Sequence, residues 1–311
     1  MLRACREGFR YGVSSIQNLD LIPVTGCVIC GYQVQSIPDS EKALVRGNTT
    51  RFSEFEYQLW KCPQCLTIQN LNPVDFKDIY RNYPVNLHQR LDFFAKGRFK
   101  NLLSRLIKNG LRKNHQILDI GCGNGIFVEY LLSRGYRSTI GYDPFVKEFS
   151  TLNEDQQFDY VIANDVIEHV ENPKAFLLSN VERLKSNGVL YVGTADSEDI
   201  NMTDLKHELM RLHQPFHRVI FTQKSLMKMA SELPECKIID SYRRSYMDTL
   251  IPFVNYRFLD EFNAALGHQI DLAFQPDAAK ILMRKPKLLF FTFFGYFFPS
   301  AAEPAVLIRK N

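Results

Sequence analysis

The stretch ILDIGCGNG, residues 117–125, decides the fold. With Gln116 ahead of it, its first four residues read as a short buried strand (116–120), and Gly121, Gly123 and Gly125 crowd the five positions that follow. Glycine loses more conformational freedom on folding than any other residue, so this cluster marks a tight turn that another group must approach closely. Downstream, IFVEYLLSRG places Ile126, Phe127, Tyr130 and Leu131 at helical spacing and stops at Gly135. STIGYDP, residues 138–144, then reads as a second strand closing on Asp143. Asp143 lies 24 residues after Asp119. That is near the separation at which a nucleotide-binding strand–helix–strand unit presents an acid to ribose hydroxyls.

Two cofactor classes use such a layout. A dinucleotide site wants G-x-G-x-x-G, so that pyrophosphate can rest on the helix N-terminus. Here the glycines run Gly121-x-Gly123-x-Gly125, and Asp119 sits at the end of the first strand. A carboxylate there repels pyrophosphate but suits a ligand carrying an ammonium group. S-adenosylmethionine has an ammonium, a sulfonium and a ribose, and no phosphate, so the electrostatics favour it over NAD.

Taken together, ILDIGCGNG, GYDP, FDYVIANDVIEHVENP (158–173) and GVLYVGT (188–194) resemble the class I S-adenosylmethionine-dependent methyltransferases. The resemblance covers about residues 98–245 and the final strand. It implies an α/β fold: a Rossmann-like sheet with helices on both faces and the ligand beyond the C-terminal ends of the strands. It also implies a cofactor turn at Asp119, Gly121, Cys122, Gly123, Asn124 and Gly125, with Asp143 on the ribose and Pro144 beside it. Asn164 and Asp165 are expected to line the methyl-donor pocket. Only 15 residues separate Asp143 from Asp159, so the third strand is expected to be short or missing, with STLNEDQQ (150–157) as a stub at most. With no adenine-recognising acid to place, Phe145 is left to stack on adenine or simply to pack.

Two Cys-x-x-Cys hooks precede this core, Cys27/Cys30 and Cys62/Cys65. A two-residue gap lets both thiolates face one ion, and four thiolates close a tetrahedral sphere, so the hooks predict a structural rather than catalytic zinc. Gly31 gives the first hook room to turn, and RFSEFEYQLWKC reads as a strand leading into the second. Reduced thiols or a redox pair are the plainer alternative. The hooks, followed by IYRNYP (79–84), further resemble zinc-ribbon methyltransferases of sugar, polysaccharide and natural-product pathways. The expected organisation is a zinc ribbon at 20–75, a helical connector at 76–110, and a methyltransferase domain at 111–311 with an insert at 245–303.

Histidines supply the candidate bases. NDVIEHV puts Asp165, Glu168 and His169 on one face of a helical turn. Some quinone-pathway O-methyltransferases bind a divalent metal through such an acid-x-x-Glu-His pattern, whereas in many relatives it is only a packed helix start. His217, in HQPFHRVIFTQKSL (213–226), is the other candidate for a base or substrate contact, just ahead of a helix that Thr222 caps. The insert between the last two strands is rich in aromatics: Phe253, Tyr256, Phe258, Phe262 and the run LLFFTFFGYFF at 288–298. It is expected to form a lid, covering its own domain, an acceptor with an apolar portion, or a lipid surface.

The chain has 311 residues and a net charge of +4 with no dense Lys/Arg run, which argues against nucleic acid as the partner. The apolar stretch at 288–298 is far shorter than the roughly 20 residues a spanning helix needs. The first 18 residues lack the apolar segment of a secretory signal, leaving a frayed terminus or a basic transit peptide and a cytoplasmic expectation. The function expected is methyl transfer from S-adenosylmethionine to a small-molecule acceptor such as a sugar, glycan precursor or other secondary metabolite. Its rivals are an RNA methyltransferase gripping RNA through the ribbon, and a cofactor-binding scaffold without turnover. Sequence leaves the attacking atom and oligomeric state open.

Overall fold

The computed structural model describes residues 26–81, 83–275, 280–282, 285–298 and 303–311. Cys5 and the segment considered as a transit peptide lie outside the described residues. In chain order the strands are β1 (Lys42–Arg46), β2 (Glu56–Lys61), β3 (Ile68–Asn70), β4 (Ile117–Ile120) and β5 (Thr139–Tyr142). They continue with β6 (Phe158–Asn164), β7 (Leu184–Gly193), β8 (Val219–Ile220), β9 (Cys236–Tyr242) and β10 (Ala305–Lys310). The α-helices are α1 (Phe76–Ile79), α2 (Pro84–His88), α3 (Phe93–Lys108), α4 (Ile126–Ser133) and α5 (Pro173–Glu182). After them come α6 (Leu209–Leu212), α7 (Gln223–Ser231), α8 (Tyr256–Ala265) and α9 (Pro286–Phe294).

Six strands form the main sheet in the order β5-β4-β6-β7-β10-β9. β5, β4, β6 and β7 run parallel, and β10 lies antiparallel to both its neighbours. All four residues of β4 are buried, as a parallel strand covered on both faces requires. Alternation assigns the faces. Ile117, Tyr160, Ile162 and Tyr191 pack with Phe99, Leu102, Leu106, Phe127 and Leu131 of α3 and α4. Leu118, Ile120, Val161 and Ala163 pack with Leu177, Leu226 and Met229 of α5 and α7. The expected Rossmann-like sheet with helices on both faces is therefore present.

Between Asp143 and Phe158 the chain makes only a short 3₁₀ turn, Lys147–Phe149. STLNEDQQ supplies no strand, so β5 is the sheet edge. The short link leaves no length for a helix and a further strand.

A second, antiparallel sheet runs β1-β2-β3-β8. Its fourth strand comes from far along the chain: Ile68 pairs with Ile220 and Gln69 with Val219. The Lys61 ammonium donates to the carbonyls of Ser197 (3.0 Å) and Ile200 (2.7 Å), beyond β7. The cysteine-bearing hairpin is thus fastened to the segment that follows β7. That segment, which carries His213 and His217, packs Ala195, Ile200, Leu205 and Leu212 against Val45, Leu59 and Ile68 of the second sheet. Thr222 caps α7 as anticipated, in a reciprocal capping box with Ser225.

Candidate active site and cysteine cluster

Gly121, Gly123 and Gly125 all have left-handed backbone, with φ of 67°, 54° and 77°. A Cβ on Gly121 would lie 2.5 Å from Val166, and one on Gly125 would lie 2.4 Å from Phe149. The bareness of the turn therefore has two local reasons, backbone conformation and close neighbours, before any ligand is considered. The Gly121 N–H donates to the Tyr142 carbonyl at 2.7 Å and pins the turn to the end of β5.

Asp119 and Asp143 flank this turn, both buried. Burial, followed by the nearby Asp143 charge, pushes the Asp119 carboxyl from 3.8 to about 8. Asp143 is raised by burial too, against the pull of the backbone donors of Phe145, Gly123 and Val146. The Phe145 N–H stands at 2.9 Å and the Gly123 N–H at 3.0 Å. Asn124 donates to the Gln89 carbonyl at 2.9 Å and ties the turn to the connector. The Cys122 thiol is buried under Gly141, whose Cβ would meet its sulfur at 2.6 Å. At the end of β6 the Asn164 amide donates to Asp165 Oδ2 at 2.7 Å, and Asn164 Oδ1 is buried without a partner.

One cleft of about 1410 Å³ joins these residues to the rest of the candidate site. Asp119, Gly121, Asn124, Asp143, Pro144, Phe145, Asn164 and Asp165 line it around the glycine turn. Tyr80, Tyr83, His169, His213 and His217 also line it, as do Phe253, Tyr256, Phe258 and Phe262 of the insert. Phe145 stacks on Tyr80, with ring centroids 4.4 Å apart and planes 11° from parallel. The connector thus brings its own aromatic ring to the residue that sequence left between stacking on adenine and packing.

Three imidazoles meet in the cleft, with centroids of His169–His217 and His213–His217 separated by 4.8 and 5.0 Å. Their tautomers follow from their partners. Asn48 Nδ2 donates to the Leu209 carbonyl at 3.1 Å, so its Oδ1 faces His213 Nδ1 at 2.8 Å and accepts its proton. His213 Nε2 is then an acceptor for the Tyr83 hydroxyl at 2.8 Å. His217 Nδ1 donates to the Arg211 carbonyl at 2.7 Å and keeps Nε2 bare. His169 Nδ1 lies 3.1 Å from the Phe216 carbonyl, which can only accept, and 2.8 Å from the Tyr80 oxygen. Nδ1 therefore carries the proton and shares it between them. Burial pushes His169 down to about 4 and His213 to about 3, and depresses His217 strongly, so all three rings are neutral near pH 7.

Glu168 is 1% exposed, and burial followed by the Asp165 charge lifts it to about 8. Its Oε1 is 4.0 Å from His217 Nε2. Glu168, His169 and His217 bring their ligand atoms within 4.8 Å of one another. Asp165, grouped with Glu168 and His169 by spacing, is not in that set. Residues 167–169 form a 3₁₀ turn, and Asp165 has φ 56°, which turns its side chain toward the Tyr246 hydroxyl at 3.3 Å.

At the hooks, Cys27 Sγ and Cys65 Sγ are 3.5 Å apart, and Cys30 Sγ and Cys62 Sγ 3.6 Å. Four sulfurs about 2.3 Å from one zinc stand about 3.8 Å apart, so the set fits a tetrahedral ion. The two hooks share one backbone design. The N–H of Gly31 bonds the Cys27 carbonyl and that of Leu66 the Cys62 carbonyl, and Gly31 and Leu66 both have positive φ. Cys27 and Cys62 each donate from N–H to a carbonyl five residues on, at Tyr32 and Thr67.

Sequence reasoning did not single out Tyr80, Tyr83, Asn48 or Tyr246. The first two stood in IYRNYP, quoted only for its likeness to relatives. Their signal was a pair of tyrosines just before Pro84, which starts a helix at its N1 position.

A sequence model of a methyltransferase domain family matches residues 90–236. The ubiquinone biosynthesis O-methyltransferase of Rickettsia typhi is 33% identical over 100 residues, which is 25% of this chain and 40% of that protein. The mitochondrial ubiquinone biosynthesis O-methyltransferase of Rattus norvegicus is 31% identical over 120 residues, 30% of this chain and 33% of that protein. The chain thus spans about 40% of the length of the first curated relatives it matches. Among solved structures, the plantazolicin methyltransferase BpumL in complex with SAH overlaps 75% of this chain and 88% of its own, with a TM-score of 0.42 and 14% identity. Residues 90–236, with the glycine turn and the parallel strands β4 to β7, form a class I S-adenosylmethionine-dependent methyltransferase domain, and antiparallel β10 completes its sheet from beyond the matched stretch.

Proposed function

We propose that the chain transfers a methyl group from S-adenosylmethionine to a hydroxyl of a small-molecule acceptor that carries an apolar portion. The observation that carries this reading is the single cleft lined by the glycine turn, the neutral histidines and the aromatic insert. A sulfonium-bound methyl is already electrophilic, so the protein has mainly to align the acceptor, exclude water and take up a proton.

In this reading Asp119 meets the ligand ammonium and Asp143 its ribose hydroxyls, while Gly121 and Gly123 leave room for the methionine portion. Cys122, Pro144, Phe145, Asn164 and Asp165 complete that end. His169 and His217, each with Nε2 free of a proton, are the acceptors for the departing hydroxyl proton. Glu168, neutral at pH 7, adds no competing negative charge. The four thiolates of Cys27, Cys30, Cys62 and Cys65 would hold a zinc that fixes the hairpin and takes no part in the chemistry.

The relatives' name, ubiquinone biosynthesis O-methyltransferase, speaks of methylation on oxygen and supports a hydroxyl acceptor here. A sugar or glycan precursor bearing an apolar portion fits the same cleft. RNA is disfavoured by a cleft whose insert wall is aromatic rather than basic. The test is transfer of labelled methyl to a panel of hydroxylated acceptors with and without apolar groups. Transfer that tracks the apolar portion supports the reading. S-adenosylmethionine binding without transfer to any acceptor would instead favour the scaffold.

A further inference from the structure

α9 buries Leu288 and Thr292 against the protein, and Gly295 continues that stripe. The rest of its surface is inverted relative to an ordinary surface helix. Leu289, Phe290, Phe293, Phe294, Phe297 and Phe298 stand 46–65% exposed. Phe290 gathers Phe294 and Phe298 around it at 5.1 and 5.7 Å, so the side chains form one surface rather than scattered rings. Scattered apolar residues need no explanation, but a contiguous exposed patch does.

The surroundings select the occupant. From residue 278 to 302 the sequence has Lys280, Arg284, Lys285 and Lys287 and no Asp or Glu. Lys285 and Lys287 sit at the start of α9, and Lys287 is still 66% exposed at its side chain while paired with Glu261. A helix with a large apolar face and flanking cations lies in the plane of an anionic lipid interface. At nine residues it is far too short to cross one. The patch also reaches the cleft. The Thr292 carbonyl accepts from the Phe253 N–H at 3.2 Å, and the Phe253 ring meets Phe94 at 6.0 Å. Both rings line the cleft, and Phe93 beside them is 65% exposed.

We infer that α9 and the turn after it form a docking face for an anionic lipid bilayer, seated so that an apolar acceptor enters the cleft from the lipid side between Phe94 and Phe253. The docking half stands on this surface alone. The entry route rests on the methyltransferase reading.

The test is co-sedimentation of the full chain with vesicles of phosphatidylcholine containing phosphatidylglycerol, for the wild type, Phe293→Asp/Phe297→Asp and Lys285→Glu. None of these residues lines the cleft. Because all are exposed, S-adenosylmethionine affinity reports whether each variant is folded, independently of docking. Wild-type protein should sediment, about tenfold less well with the double aspartate and several-fold less with Lys285→Glu or at high salt. Equal sedimentation of wild type and double variant overturns the proposal. So does concentration-dependent self-association that the double variant abolishes, without vesicle binding, which would assign the face to a second copy. Vesicle binding with no methyl transfer to any acceptor, soluble or vesicle-borne, would keep the docking face and sink the activity reading instead.

Discussion

The Tyr83 hydroxyl stands 2.8 Å from His213 Nε2, and the Asn48 amide on the other side of the ring dictates that the tyrosine is the donor. Asn48 belongs to the hairpin region, Tyr83 to the connector and His213 to the segment after β7. Three distant parts of the chain thus meet in one hydrogen-bonded line on the cleft wall. Tyr83→Phe should leave S-adenosylmethionine affinity within about twofold while lowering transfer about ten- to a hundredfold, the scale of a lost positioned polar group. Asn48→Asp tests the direction of the line, since it would favour a charged His213. Its transfer at saturating cofactor should fall on the acid side and recover as pH rises, where the wild type stays flat. A Tyr83→Phe enzyme with unchanged kcat would remove the line from the mechanism.

Asp119 makes cofactor binding a proton-linked event. With its carboxyl held near 8, it is mostly protonated at pH 7, and pairing with a ligand ammonium favours the ionised form. Binding should therefore release close to one proton at pH 7, seen by calorimetry in buffers of different ionisation enthalpy. Affinity should weaken by up to about tenfold per pH unit as pH falls from 8 to 6. kcat at saturating cofactor should stay flat down to about 5, because burial keeps His169 near 4 and holds His217 well below its usual 6.5. Asp119→Asn should abolish the proton release along with most of the affinity. Binding without any proton release would contradict the ammonium assignment.

The same groups set the pH dependence of stability. Asp119 and Glu168 rise from their usual 3.8 and 4.5 to about 8 in the folded protein, so between those limits the native state holds more protons than the unfolded one. Stability from these two groups is full below about 4 and is lost as pH rises through about 8. The histidines act oppositely, but only below their unfolded pKa of about 6.5. From pH 6.5 to 8.5 the histidines no longer contribute, buried Glu303, also raised, acts with the two carboxyls, and the ligand-free protein's Tm should fall. The expected loss is on the order of 1 kcal/mol per pH unit, smaller in Asp119→Asn. A Tm that rises over this range would refute the assignment.

The core sheet was legible because its signals are local. ILDIGCGNG, Asp143 and the short run to Asp159 together anticipated β4, the turn, β5 and the missing third strand. The histidine part of the cleft was less so. His169 and His217 are 48 positions apart, and only the pairing of β3 with β8 and the 3₁₀ turn at 167–169 brings them together. Spacing alone put Asp165 with Glu168 and His169, because it assumed a helical turn where the backbone is left-handed at Asp165. Tyr80 and Tyr83 gave no periodicity to read, lying in the part of the connector ahead of α3, where the helices are four and five residues long.

The last prediction concerns the hairpin with its four cysteines. Its strands end in β8, immediately before the Thr222 cap of α7, and its tip region carries Asn48, the partner of His213. The glycine turn, by contrast, is fixed by β4, β5 and the Gly121–Tyr142 bond. Damage to the hairpin should therefore reach the acceptor side of the cleft first. Mass measurement of the native protein should find one zinc, and a strong chelator should remove it. The stripped protein, or Cys30→Ser, should melt at a lower temperature and lose most methyl transfer, while S-adenosylmethionine affinity changes by no more than about threefold. Readdition of zinc should restore transfer to the stripped wild type but not to Cys30→Ser. If transfer and cofactor binding fall together, the hairpin supports the whole fold rather than the acceptor side. If native protein carries no zinc and the chelator changes nothing, the cysteines hold no ion.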